Sequence, residues 1–74
     1  MTLYQFNMLD EMEQAEAVWS GKHINQRDDG THTILLYKIQ DFYVEAFYHK
    51  EYNVLRKFVA LSEYDVMFYA NRSN

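Results

Sequence analysis

Apolar residues recur along the first quarter of the chain at spacings of three and four, and after that at every second position. Met8, Met12, Ala15 and Trp19 form the first stripe, which predicts a helix over Asn7–Trp19. Asn7 is a suitable N-cap, because its side-chain oxygen can accept a backbone N–H of the first turn. Asp10, Glu11 and Glu13 follow in the first two turns, where the positive end of the helix dipole favours the earliest carboxylates. Ser20 and Gly21 close the segment, with the glycine expected to take the left-handed conformation of a C-terminal cap.

From Lys22 the period is two. Lys22–Arg27 predicts a short strand, and Asp28-Asp29-Gly30 a tight hairpin turn at Asp29-Gly30. Thr31–Ile39 is rich in β-branched and large apolar residues and predicts a second strand. Gln40-Asp41 is a weaker turn, and Phe42–Lys50 is the third strand. Glu51-Tyr52-Asn53 turns again, with Asn53 the residue best suited to a left-handed conformation. Val54–Leu61 is the fourth strand. Ser62, with Asp65 three residues on, resembles a capping box and starts a short helix over Glu63 to about Asn71. A fifth strand over residues 63–71 stays open as the other assignment. The connections are short, so the strands should form an antiparallel meander rather than parallel crossovers. The expected fold is α+β: an N-terminal helix packed on a four-stranded antiparallel meander sheet, with a short C-terminal helix, all in a single domain over residues 1–74.

Counting outward from the turns assigns side chains to faces. Leu35 falls opposite Ala46, Tyr37 opposite Val44, Ile39 opposite Phe42 and Ile24 opposite Leu35. With Thr33 and Tyr48 these make one continuous apolar face, and the Met8/Met12/Trp19 stripe is its expected lid. The second face pairs Ile34 with Phe47, Leu36 with Glu45, Lys38 with Tyr43 and His32 with His49, beside Asn25 and Arg27. It has an apolar centre inside a polar rim. Burying four such apolar side chains contributes roughly 1.5–3 kcal/mol each, so a bare second face is costly in a small domain. The last segment is also apolar on most sides, through Tyr64, Val66, Met67, Phe68 and Tyr69. The chain therefore offers more apolar surface than one helix and one sheet consume.

Composition sharpens this reading. A chain of 74 residues buries only about 60% of the surface it exposes unfolded. It has no cysteine, which excludes disulfides and thiolate zinc sites and fits a cytoplasmic location. Small domains without those supports lean on packing, including packing against a second chain. Aromatics make up 18% of the residues, unlike a disordered chain. No apolar run is long enough to span a bilayer, and no basic start precedes an apolar stretch, so neither membrane insertion nor a signal peptide is expected. The net charge of −4 resides in the first 21 residues, since the remainder holds seven acidic and seven basic side chains.

The candidate chemistry is thin. His32 and His49 can be cross-strand neighbours, and with Glu45 they carry the alternative reading, a metal- or small-ligand-binding protein. A metal centre also needs further ligands and groups that orient them, and no metal or cofactor is expected. Glu45 sits among apolar residues; an ion pair with Arg56 or Lys57 on the next strand accounts for it better than a role as general acid or base. The serines and threonines occupy caps, turns and strands without a nucleophile's partners. The chain has two glycines, far apart, so no phosphate-binding loop is present. Tyr43, Phe47 and Tyr48 with Lys38, Arg56 and Lys57 imitate a base-stacking sheet, but the absence of excess positive charge argues against nucleic acid. Asp10, Glu11, Glu13 and Glu16 make an acidic helix face, solvated or presented as a decoy to a basic protein.

The layout Trp19-Ser20-Gly21, Leu36-Tyr37-Lys38-Ile39, Phe42-Tyr43-Val44-Glu45 and Tyr48 resembles that of small bacterial proteins with no assigned activity, over Leu3 to about Leu61. No functional residue carries over from that resemblance. The expected function is a non-enzymatic protein-interaction module, binding a protein partner or a second copy of itself in a homodimer. The residues expected at the interface are Ile34, Leu36, Tyr43, Phe47, Tyr64, Phe68 and Tyr69.

Overall fold

The computed structural model describes the backbone of residues 1–72 and the side chains of residues 1–68. Its elements in chain order are α1 (Leu3–Met8), α2 (Glu11–Trp19), β1 (Lys22–Asp28), β2 (His32–Ile39), β3 (Phe42–His49), β4 (Val54–Ser62) and α3 (Glu63–Arg72). The four strands form one antiparallel sheet in the order β1-β2-β3-β4, the expected meander. The C-terminal segment is a helix, not a fifth strand.

The N-terminal helical segment differs from the single helix that the periodicity predicts. It is two helices, and the break has a local cause. Thr2 caps α1, accepting from the Gln5 N–H while the Gln5 side chain accepts from the Thr2 N–H. Leu9 leaves the helix with extended backbone. Asp10 then caps α2 in a second reciprocal box with Glu13. A capping carboxylate needs extended backbone at its own position, so Asp10 ends one helix in order to start the next. The break rotates the buried stripe. Phe6 and Val18 are fully buried, with Leu3, Leu9 and Ala17 packed around them. Met8 and Met12, the expected lid, are 85% and 75% exposed.

Gly21 also serves a purpose other than the expected left-handed cap. Its φ is not positive; instead the backbone approaches β2 so closely that a Cβ would lie 2.7 Å from the Lys38 carbonyl oxygen. Glycine is needed there because the chain reverses against the sheet.

The register of β2 with β3 is the one obtained by counting, from His32 opposite His49 to Ile39 opposite Phe42. Gln40 takes φ +57° in that turn and Asn53 φ +53° in the next. The first hairpin departs from the count. Its turn lies one residue further on, so Gln26 rather than Ile24 stands opposite Leu35, and the pairing shifts between His23 and Asn25. The two aspartates decide this. Asp28 accepts the Gly30 N–H at 2.6 Å, and Asp29 accepts those of Thr31 and His32 at 2.9 and 2.6 Å. These side chains build a turn that a bare two-residue Asp-Gly loop would not contain.

The core lies between the first sheet face and the two N-terminal helices. Phe6 meets Phe42 and Phe58 at ring-centroid distances of 5.8 and 6.2 Å, and Val18, Ile39 and Val44 complete the buried cluster. The capping box expected at Ser62 is present: the Asp65 N–H donates to Ser62 Oγ and the Ser62 N–H to Asp65 Oδ2, each at 3.0 Å.

Candidate interaction surface

The second face of the sheet is the natural starting point. Ile34 and Leu36 are 1% and 6% exposed. They are therefore buried inside the chain and do not form the bare apolar patch that the strand pattern suggests. The cover comes partly from an ion pair. Glu45 accepts from Arg27 Nε at 3.1 Å and from Nη2 at 3.4 Å. Arg27 is on β1 and Glu45 on β3, so the pair bridges over β2 on the face that carries Ile34 and Leu36. The expected partners of Glu45, Arg56 and Lys57, are not the ones used. A guanidinium meets a carboxylate with two parallel N–H donors, and its long stem covers apolar surface on the way. The helix α3 packs against β4 and β3.

Tyr43 and Phe47 are half-buried on the same face. The Lys57 ammonium lies 4.7 Å from the Phe47 ring centre and the Arg27 guanidinium 5.9 Å from it, while Lys38 stands 5.8 Å from Tyr43. The aromatic rings are thus roofed by cations. Four of the expected interface residues, Ile34, Leu36, Tyr43 and Phe47, are engaged wholly or in part by their own chain.

His32 and His49 are brought together as counted, with ring centroids 5.8 Å apart. Each already has a local task. His32 Nδ1 lies 3.1 Å from Asp29 Oδ2, and His49 Nδ1 accepts the Tyr52 N–H at 3.3 Å. The hydrogen bonds from the His32 and Thr31 backbone hold the Asp29 carboxyl at a pKa of about 2. Asp28 is also lowered, first by its hydrogen bond from Lys50. Glu45 is held by Arg27, apart from the histidine pair. Among the described residues no group of three or more His, Cys, Asp or Glu side chains is arranged to hold a metal ion.

On the first face the helices stop short of covering the whole sheet. Trp19 closes the gap as a half-exposed ring. It stacks on Tyr48 at 6.2 Å and meets Tyr37 and Phe58 edge-on at 5.5 and 6.2 Å. Burial raises the pKa of the Tyr48 hydroxyl.

The outer side of α3 is different in kind. Tyr64, Met67 and Phe68 follow the i, i+3, i+4 spacing of one helix face and are 78%, 61% and 62% exposed. Tyr4, Met8 and Met12 add exposed apolar side chains on α1 and α2. Tyr64 and Phe68 were expected from the sequence; the side chain of Tyr69 lies outside the described residues. Tyr4, Met8 and Met12 are surface residues that the periodicity assigns elsewhere or passes over. The signal that could have revealed them is the Asp10-x-x-Glu13 box, which breaks the helix and turns the methionines outward. In the acidic segment, Asp10 and Glu13 are consumed as capping partners, while Glu11 and Glu16 are exposed. No described helix is long and apolar enough to cross a membrane. No protein-family model, no curated protein and no solved structure matches this chain.

Proposed function

We propose that this protein is a small interaction module that works by binding rather than catalysis, and that its first partner is a second copy of itself. The observation that supports this is the outer face of α3. Tyr64, Met67 and Phe68 lie on one side of a helix in a 74-residue chain, each more than three-fifths exposed. Sequestering such side chains contributes roughly 1.5–3 kcal/mol apiece, and contiguous exposed apolar surface marks interaction sites. An isologous dimer doubles the effect of each residue, because every contact occurs twice.

Sedimentation equilibrium from low to high micromolar concentration tests the reading. The expected result is a reversible dimer whose dissociation constant rises at least tenfold in a Tyr64→Ser, Met67→Ser variant, with the circular dichroism spectrum unchanged. A monomer at all concentrations, or a dimer indifferent to the substitutions, overturns it.

A further inference from the structure

The two edges of the sheet are built differently. β1 is exposed along its whole length, is irregular at Ile24 and carries Lys22, Arg27 and Asp28. Charges and irregularities of this kind blunt an edge against pairing. β4 is the longest strand, and its segment Phe58-Val59-Ala60-Leu61 has neither a charge nor a proline. Its one register shift lies before that segment, opposite Phe47/Tyr48.

The backbone groups that β4 leaves unpaired can be identified. In a two-residue hairpin the residues flanking the loop exchange both hydrogen bonds, and the pattern then alternates. Ile39 and Phe42 flank the Gln40-Asp41 loop, so even-numbered residues of β3 bond to β2 and odd-numbered ones face β4. Two bonds beyond the ladder agree with this count: the Lys50 N–H donates to the Thr31 carbonyl at 3.0 Å, and the His49 carbonyl accepts the Asn53 N–H at 2.7 Å. Tyr43, Glu45 and Phe47 therefore bond to Leu61, Val59 and Lys57. The N–H and C=O of Phe58 and Ala60 point away from the sheet.

We infer that two copies of this chain join by antiparallel pairing of their β4 edges through the outward backbone groups of Phe58 and Ala60, giving one continuous eight-stranded sheet. This rests on the self-association proposed above and specifies its geometry. A strand edge with alternating donors and acceptors is its own complement about a two-fold axis normal to the sheet. With Ala60 on that axis, Val59 falls opposite Leu61 of the second copy and Phe58 opposite its Ser62, whose carbonyl can accept the Phe58 N–H while its own N–H stays with Asp65 Oδ2. The flanking elements agree. Both α1 and α3 pack against β4, and the axis brings α3 and its counterpart to the same side of the joined sheet, where Tyr64, Met67 and Phe68 have a partner surface of the same composition.

Amide hydrogen exchange and a single substitution test the pairing. In wild-type protein, exchange at the Phe58 and Ala60 amides should slow at least tenfold between the dilute monomer and the concentrated dimer, while the Val59 amide, already bonded to β3, serves as the internal reference. Ala60→Pro removes an outward N–H, a position where an edge strand tolerates proline, and should raise the dissociation constant at least tenfold with the monomer still folded by circular dichroism. If that variant does not fold, the exchange measurement on the unaltered chain decides alone. A dimer in which the Phe58 and Ala60 amides exchange as fast as in the monomer overturns the edge pairing and leaves self-association through α3 standing. A chain that stays monomeric removes both.

Discussion

The two faces of the sheet are closed by different means. On the first, aromatic and aliphatic side chains interlock: Phe6 against Phe42 and Phe58, with Val18, Ile39 and Val44 between them. On the second, a charged bridge from Arg27 to Glu45 passes over β2, and cations roof the Phe47 and Tyr43 rings. The first face needs two helices to exclude water. The second holds Ile34 and Leu36 buried where long polar side chains reach across neighbouring strands. Apolar residues on both faces of a small sheet are therefore not by themselves a sign of a missing partner. The large apolar side chains that stay mostly exposed lie further out, on the helices, among them Tyr64, Met67 and Phe68.

This contrast can be broken from either side. Phe6→Ala removes the one aromatic ring of α1 in the core and should cost about 3–5 kcal/mol, measured by urea denaturation; a loss below about 1 kcal/mol would mean that α1 does not close the first face. On the second face, Glu45→Ala leaves the Arg27 guanidinium over apolar residues without its carboxylate. Breaking a buried pair costs about 3–5 kcal/mol, but Arg27 is partly exposed, so roughly 1–3 kcal/mol is expected after screening. The double replacement Arg27→Met, Glu45→Leu should recover most of that loss, because apolar side chains of similar length can cover Ile34 and Leu36 without desolvating charges. A double variant no more stable than Glu45→Ala would show that the bridge supplies something other than cover.

Smaller effects sharpen the comparison at the hinge between β1 and β2. The folded pKa of Asp29 is about 2, below the ordinary unfolded value of about 3.9. The group binds protons more tightly in the unfolded chain, so its stabilising contribution is complete above about pH 4 and is lost as pH falls towards 2. Asp29→Ala should lower stability at neutral pH and flatten the acid limb in that window, read by urea titrations at several pH values. An acid limb of unchanged slope would place the acid sensitivity elsewhere. The smallest change belongs to the methionines. Met8→Ser with Met12→Ser should shift stability by no more than about 0.5 kcal/mol per site, because neither side chain is in the core. A loss of several kcal/mol would restore them to the lid that the periodicity suggests.

The strands, their order and the central register were legible in the sequence because period-two patterning and short turns leave few pairings open. The pairing of His32 with His49, the left-handed Asn53 and the Ser62/Asp65 box all follow from local rules. The misreadings have physical reasons as well. Met8, Met12 and Trp19 fit one helical stripe only if the helix is unbroken, and the Asp10/Glu13 box breaks it. Ile24 loses its place opposite Leu35 because Asp28 and Asp29 shape the turn with their side chains. Of the interface candidates, Tyr64 and Phe68 are exposed on α3, whereas Ile34 and Leu36 are buried.

What the sequence determined by itself is the set of interactions that act over a few residues: periodicity, caps, turns and therefore the meander. Only the tertiary structure decided which apolar residues are inside. Burial depends on what arrives from a distance, such as a guanidinium extending from β1 across β2 to a carboxylate on β3. A helix broken at Asp10 turns a different stripe toward the sheet. The bridge has no local signature, because it arises from the fit between elements already formed; the break has one, the Asp10/Glu13 box, but which stripe it buries is decided only when the helices meet the sheet.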